Sequence, residues 1–355
     1  MNIFPLKLYY NKDIGRIIIV FHYKIRRNHK IFNSQLNPDL YHGWNKRKNF
    51  FEGWYFKIVE PETQQVFAFI PGIFMGKEEP QSHSFIQLVN GQTHDYRYKK
   101  FSTQDFNALR NKFEVKIADN LFSLEQLKLN IKDSAFSVKG QLYFKNILKW
   151  PDSKLNPGSM GFYNYIPRMQ CYSQVCSMDM DVDGYLEVNN QQIEFKKGKG
   201  YVEKNWGKSF PYSWIWIQSN SFSSTGTSLS CSLAHIPLSF YHFRGFLIGL
   251  YVKGVFYSFT SINHSQINIS KKQTDIDIRA ENKKYLLNLK TKTERKHFIL
   301  LNGPRGWEMI PLVQENLLGK VKVTLLQKKD NTILFDDEGY YTGIEYGGKQ
   351  MLVLD

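Results

Sequence analysis

A strand grammar that runs through this chain twice constrains its fold more than any other feature. In the first run, residues 50–59 alternate so that Glu52, Trp54, Phe56 and Ile58 share one face, Pro61-Glu62-Thr63 turns the chain, and residues 66–74 return. Residues 83–89, an Asn90-Gly91 hairpin turn and residues 93–98 complete a set of four strands. Ser102 can cap a helical turn over 102–109, and short strands resume at 112–117, 121–124, 127–131 and 136–144. The second run repeats the opening with residues 214–220, a Ser-Ser-Thr-Gly turn at 223–226, then 227–235, 244–252, a Lys253-Gly254 turn and 255–261. Even the returning strands end alike, on Ala68-Phe-Ile-Pro71 and on Ala234-His-Ile-Pro237. Further strands at 266–269, 275–280, 284–290, 320–326, 332–335 and 340–346 finish the second run.

Helices are scarce, so the chain is expected to be all-β. With 355 residues it exceeds one ordinary core, and two runs of short strands predict two sequential antiparallel barrels or strongly curved sandwiches. The expected organisation is a basic extension over 1–36, a first β domain over 37–199 and a second over 200–355. Residues 150–167, rich in Pro, Gly, Ser and Tyr, form a long irregular connection of the kind that is usually functional.

Residues 200–220, GYVEKNWGKSFPYSWIWIQSN, are chemically the densest segment. Its second half places Trp214, Trp216, Gln218 and Asn220 on one face and Ile215, Ile217 and Ser219 on the other. A strand apolar on both faces either crosses a core or walls a cavity, and amides following two indoles suit the cavity as well as polar strand ends. Aromatic residues make up 15% of the chain, which suits an aromatic-lined pocket.

The formal net charge of +15 raises nucleic acid or an anionic membrane as partners, but the clusters Lys24/Arg26/Arg27, Lys46-Arg47-Lys48 and Lys196-Lys197 are short, and no nucleic-acid motif accompanies them. The expectation is therefore no nucleic-acid partner. The apolar run 14–21 is broken by Arg16 and is too short to span a bilayer, so the sequence reads as cytoplasmic, with peripheral membrane contact through the basic N-terminus as a second option. Cys171, Cys176 and Cys231, without CxxC spacing, predict neither a disulfide framework nor a zinc site, and no metal is expected.

Asp179, Asp181, Asp183 and Gly184 match the opening of a calcium loop, but the twelfth position is Asn190, not glutamate, and no helices flank it. The run reads instead as a strand with Met178, Met180 and Val182 inward and the aspartates outward, ending in an Asp183-Gly184 hairpin turn. No nucleophile elbow, zincin helix or phosphate-binding loop is present. Two carboxylates stand out. Glu52 shares its face with Trp54, and Glu203 shares its face with Tyr201 and Asn205; a carboxyl buried among aromatics suits a general acid, while an ion pair is the structural alternative for each. His83, beside Phe85 and Gln87, reads as a histidine at a barrel mouth.

Phe50-Phe-Glu-Gly-Trp-Tyr-Phe-Lys57 and Gly200-Tyr-Val-Glu-Lys-Asn-Trp-Gly-Lys-Ser-Phe-Pro211, followed by Trp214, Trp216, Gln218 and Asn220, resemble the two signature stretches of the tocopherol cyclase family. Pro157-Gly-Ser-Met-Gly-Phe-Tyr163, Met169-Gln-Cys-Tyr172 and Ser177-Met-Asp179 resemble segments of its bacterial members, and the likeness extends over residues 37–346. The resemblance implies a pair of lipocalin-like barrels with a ligand site near their junction. It also implies closure of a chromanol ring from a prenylated hydroquinone without metal or redox cofactor: an acid protonates the alkene, aromatic faces stabilise the tertiary cation, and the phenolic oxygen traps it. The chain departs from the bacterial pattern at Gln170 and Ser173, where ionisable residues are more usual, and at Met180, where histidine is.

The resulting expectation is an enzyme that cyclises, hydrates or isomerises an apolar, prenylated small molecule, with Glu203 or Glu52 as proton donor. Trp54, His83, Tyr163, Tyr172, Trp206, Trp214, Trp216, Gln218 and Asn220 are the expected substrate-binding residues. A non-catalytic binder of a lipid or quinone is the alternative.

Overall fold

The computed structural model describes residues 7–11, 16–20, 33–133, 136–238 and 241–348. A small N-terminal unit, Met1–Asn33, holds β1 (Lys7–Asn11) and β2 (Arg16–Val20), which pair antiparallel with Lys7 opposite Val20. No strand period is legible there in the sequence. Lys24, Arg26 and Arg27, the basis of the expected membrane contact, lie outside the described residues.

The main unit, Ser34–Asp355, contains two antiparallel sheets of eleven strands each. The first runs through β3 (Phe50–Glu60), β4 (Gln65–Met75), β5 (His83–Asn90), β6 (Asp95–Phe101), β7 (Phe106–Ala108) and β8 (Glu114–Ile117). It continues with β9 (Asn120–Ser123), β10 (Gln126–Lys132), β11 (Ser137–Leu148), β12 (Cys171–Val188) and β13 (Gln191–Gly207). The second comprises β14 (Ser213–Ser219), β15 (Ser221–Phe222), β16 (Ser228–Leu238), β17 (Tyr241–Val252), β18 (Val255–Thr260) and β19 (Gln266–Lys272). Its remaining strands are β20 (Asp275–Glu281), β21 (Tyr285–Lys292), β22 (Ile299–Arg305), β23 (Glu308–Gln327) and β24 (Thr332–Gly348).

The repeated grammar is a repeated topology. In the first sheet β3 pairs with β4 and with the last strand, β13; in the second, β14 pairs with β16 and with the last strand, β24. The matched Pro71 and Pro237 segments are the equivalent strands β4 and β16. Each sheet curls, because side chains from all eleven strands of the first meet in one cluster that includes Trp54, Phe56, Phe122 and Val202. Ile215, Ile217, Leu289 and Ile344 belong to the corresponding cluster of the second. These are two sequential lipocalin-like barrels. A third cluster joins their outer faces: Tyr55 and Val59 of β3 and Tyr201 of β13 meet Trp214 and Trp216 of β14 and Val313 and Leu317 of β23. The first sheet ends at Gly207 and the second begins at Ser213, so the dense stretch 200–220 contributes to both sides of this junction.

Two local expectations change. Ser102 does cap a turn, accepting from Gln104 N at 3.2 Å, but the turn is a single 3-10 piece and residues 106–108 are strand. The expected Asp183-Gly184 hairpin is instead a bulge inside the unbroken strand β12, with a register shift between Val182 and Gly184. The chain reverses at Asn189 and Asn190, both at positive φ, the conformation a tight hairpin turn demands. Gly184 sits at φ +131 because strand β11 passes so close that a Cβ there would overlap the Gln141 carbonyl oxygen. Nor do all the aspartates face water, since Asp179 is buried and accepts from Asn220 Nδ2 at 3.0 Å. Gly184→Ala is expected to cost about 1–3 kcal/mol by forcing strain and a steric shift. Chemical denaturation should show a lower midpoint at unchanged slope, and an unchanged midpoint would refute the close-approach argument.

Candidate active site

The site is built by the two-residue period of β13 and β14. On β13, Val202, Lys204 and Trp206 turn into the first barrel, while Tyr201, Glu203 and Asn205 turn toward the junction. On β14, Ile215 and Ile217 enter the second barrel's core and Trp214, Trp216 and Gln218 face back across the junction. Between these faces lies a cavity of about 170 Å³, with Phe51, Phe85, Phe210, Leu247 and Met309 among its walls. Residues 150–167 close one side of it, placing Met160 and Tyr163 on its lining. That connection is pinned by Ser159 N donating to Gln174 Oε1 at 2.9 Å, while Gln174 Nε2 donates to Asp39 Oδ1 at 2.9 Å.

Each of the two indoles holds one carboxyl at this cavity. Trp216 Nε1 donates to Glu203 Oε2 at 2.8 Å, and Trp214 Nε1 donates to Glu345 Oε1. Glu203 Oε2 also accepts from Tyr201 Oη at 2.6 Å, and Asn205 Nδ2 approaches Oε1 at 3.4 Å. The indoles lie close against β24 because Gly343 and Gly347 carry no Cβ; one at Gly343 would come within 2.6 Å of the Trp216 ring, and one at Gly347 would overlap that of Trp214.

Burial governs the electrostatics. It raises the Glu203 pKa against the opposing bonds from Tyr201, Trp216 and Asn205. It pushes Glu345 well up, reinforced by the charges of Glu315 and Glu203, with only the Trp214 bond opposing. Behind the cavity, Glu315 accepts from Tyr55 Oη and is raised by burial to about 7. Lys57, fully buried, is lowered by burial to about 7 and donates to Gln218 Oε1 at 2.6 Å. Among the described residues no Lys, Arg, His or Asp lines the cavity, so its carboxyls have no cation at the wall to hold them ionised. A carboxyl kept neutral among aromatic rings can act as a proton donor near neutral pH.

Of the residues singled out in the sequence, the structure brings Glu203, Tyr163, Tyr172, Trp214 and Trp216 together on the cavity wall. Tyr172 is fixed there by donating to Ile166 O at 2.7 Å and by stacking on Trp206, with ring centroids 5.3 Å apart. The others lie elsewhere. Trp206 stacks in turn on His42, 4.0 Å between centroids, on the first-barrel side. Trp54 is fully buried in the first barrel's core. His83 is occupied by Gln81 O at 2.8 Å and Tyr98 Oη at 2.6 Å. Gln218 accepts from Lys57, and Asn220 donates to Asp179 and to Gly200 O, so both brace the junction beside the cavity.

Glu52 does share the interior face of Trp54, but the same interior holds Lys204, and the two form a fully buried ion pair flanked by His42 Nδ1 at 3.3 Å. Burial would raise the Glu52 pKa, yet the charges of Lys204 and His42 and their hydrogen bonds outweigh it and hold the carboxyl below its usual range. Glu52 is a structural anion rather than an acid at the cavity. Sequence reasoning missed Glu345 and Glu315, which lie far along the chain in TGIEYGG and VQENLL; the signal was a glutamate at a strand position that otherwise reads as interior.

The family profile described as tocopherol cyclase-like matches residues 123–348. The chain belongs to that family. A tocopherol cyclase, chloroplastic, of Zea mays is 22% identical over 87% of this chain and 77% of its own length. A probable tocopherol cyclase, chloroplastic, of Oryza sativa subsp. japonica matches at 22% identity over the same shares of the two chains. Among solved structures, CghA with Sch210972 superposes at a TM-score of 0.55 and 8% identity, covering 84% of this chain and 88% of that one, a likeness of fold. The matched stretch, Ser123 to Gly348, contains Glu203, Trp214, Trp216 and Glu345 of the cavity wall of this tocopherol cyclase-like chain.

Lys204→Met should destabilise the protein by about 3–5 kcal/mol, because it leaves the Glu52 carboxylate buried without its partner; adding Glu52→Gln should recover much of the loss. Since Glu52 has a folded pKa below its unfolded value, the pair's contribution is present above the unfolded carboxylate range and is lost as pH falls through the folded value. Denaturation midpoints of the single and double variants across acidic pH check both points. Equal midpoints in all three proteins would refute them.

Proposed function

We propose that this protein catalyses an acid-initiated addition across the alkene of a prenylated quinol or similar apolar molecule, closing a ring within one substrate. The observation that carries this reading is the pair of indole-held, buried carboxyls facing an aromatic cavity. Transfer of a carboxyl proton to a trisubstituted alkene leaves a tertiary cation, which the faces of Trp214, Trp216 and Tyr55 can stabilise by roughly 0.5–2 kcal/mol each. The absence of cationic side chains from the described lining leaves that charge unopposed. A phenolic oxygen held beside the cation then closes the ring and releases its proton, so the product is an isomer of the substrate. The apolar lining, to which Met160, Tyr163 and Phe210 contribute, limits the water that competes for the cation.

Family membership and the plant relatives' names support a cyclase rather than a simple carrier. A cytoplasmic protein that meets its apolar substrate at a membrane surface fits the reading, and among the described residues no helix is long and apolar enough to cross a membrane.

Wild-type protein incubated with a prenylated hydroquinone should yield a product of unchanged mass and altered retention. Glu203→Gln should lower turnover by about 10²–10⁴-fold. Full activity in that variant, or native mass spectrometry showing an apolar ligand returned unchanged by the wild type, would replace the enzyme with a binder.

A further inference from the structure

Resting on the cyclase reading, we propose that Glu345 donates the proton and Glu203 receives it, the two carboxyls acting as an acid and base pair at the junction cavity. Both line the cavity, and both are presented by the same strand: Trp214 and Trp216, two residues apart on β14, each hold one of them. Trp216 also stands directly opposite Glu345 in the β14–β24 register, so the indole bound to Glu203 lies beside the backbone that carries Glu345.

The two carboxyls differ in how many donors reach them. Glu203 takes hydrogen bonds from Tyr201 Oη, Trp216 Nε1 and Asn205 Nδ2, and Tyr201 is itself steadied by Ser230 Oγ at 2.9 Å. Glu345 takes one, from Trp214. Donors aimed at a carboxyl favour its anion, and burial without donors favours its neutral acid. The neighbours act in the same sense. Glu315 stands opposite Glu345 in the β23–β24 register, and its like charge, together with that of Glu203, disfavours a Glu345 anion. Tyr55 is committed to Glu315 and Lys57 to Gln218, so neither of these hydrogen bonds reaches Glu345. Of the two carboxyls on this wall, the proton is therefore assigned to Glu345 and the anion to Glu203.

The step balances. The Glu345 O–H bond breaks as a C–H bond forms on the alkene, leaving the tertiary cation and a Glu345 carboxylate. The phenolic oxygen forms the new C–O bond while its proton passes to the Glu203 carboxylate, whose Oε1 has only the 3.4 Å contact from Asn205. One proton then moves from Glu203 to Glu345, directly or through water, to reset the pair, and no co-reactant is consumed.

The assignment predicts opposite pH limbs. Wild-type turnover should be bell-shaped, falling at low pH as Glu203 protonates and at high pH as Glu345 ionises. Glu345→Gln and Glu203→Gln should each lose about 10²–10⁴-fold in rate. The residual activity of Glu345→Gln should lack the high-pH fall and that of Glu203→Gln the low-pH fall. Both amides still accept the indole N–H, and Glu345→Asp, which keeps the carboxyl, should recover part of the rate. A Glu345→Gln enzyme with wild-type rate and profile, or limbs lost in the reverse assignment, would overturn the proposal. Infrared titration without substrate decides the proton's place independently. At neutral pH the protonated-carboxyl absorption should lose a component in Glu345→Gln that Glu203→Gln retains, over the contribution of Glu315 common to both, and the converse would overturn the assignment. If the wild type turns over no prenylated quinol, the cyclase reading fails, while the infrared result still settles which carboxyl holds the proton.

Discussion

The pleat of a single strand separates two charges that would otherwise cancel, and the site depends on that separation. Glu203 and Lys204 are neighbours in sequence, yet successive side chains of a strand point to opposite faces. Lys204 is thereby delivered into the first barrel, where Glu52 meets it, and Glu203 is delivered to the junction, where no cation does. Had the two shared a face, each would have fixed the other in its charged form. As built, the fold holds Glu52 ionised by a counter-ion in the first barrel and leaves the junction carboxyls to hydrogen-bond donors alone, the divergence of environments from which acid chemistry at neutral pH can be built.

Placing several carboxyls in a dry interface works against stability, and the junction offsets this with polar partners rather than counter-ions. Tyr55 serves Glu315, Tyr201 and Trp216 serve Glu203, Trp214 serves Glu345, and Gln218 serves Lys57. Most of these donors also contribute a large apolar surface to the contact between the barrels. The same side chains therefore supply the hydrophobic burial that holds the barrels together and the hydrogen bonds that make the buried carboxyls tolerable. Chemistry and cohesion are not separable here, and the carboxyl-bearing wall of the site lies where the two barrels meet.

Much of this was legible in the sequence because period and repetition survive without tertiary knowledge. The alternation over 214–220 correctly sent Trp214 and Trp216 to one face and Ile215 and Ile217 to the other, and the matched Pro71 and Pro237 segments did mark equivalent strands. What could not be read was which of two apolar faces meets a cavity. Trp54 and Trp206 obey the same alternation as Trp214 and Trp216, but their faces turn into a filled barrel. Glu52 illustrates the remaining gap: its burial among aromatics was legible, its partner was not, because Lys204 lies some 150 residues away and approaches only when β13 pairs with β3. Glu345 and Glu315 were hidden for a related reason, since a lone glutamate in a late strand acquires meaning only from the strand opposite.

The three departures from the bacterial pattern take on different weights once placed. Met180 belongs to the first barrel's core and packs against Gly200, where a Cβ would come within 2.5 Å of its Cε, so an apolar side chain there serves packing remote from the cavity. Gln170 donates to the Phe210 carbonyl at 2.7 Å and ties down the turn between the two sheets, a role an amide fills without charge. Only Ser173 lines the cavity. An ionisable group at that one position would stand on the same wall as Glu203 and Tyr172. Its charge would shift the balance of the proton between Glu203 and Glu345. With serine there, the proton chemistry of this cavity falls to its own two glutamates, which is the arrangement the indoles of β14 are placed to support.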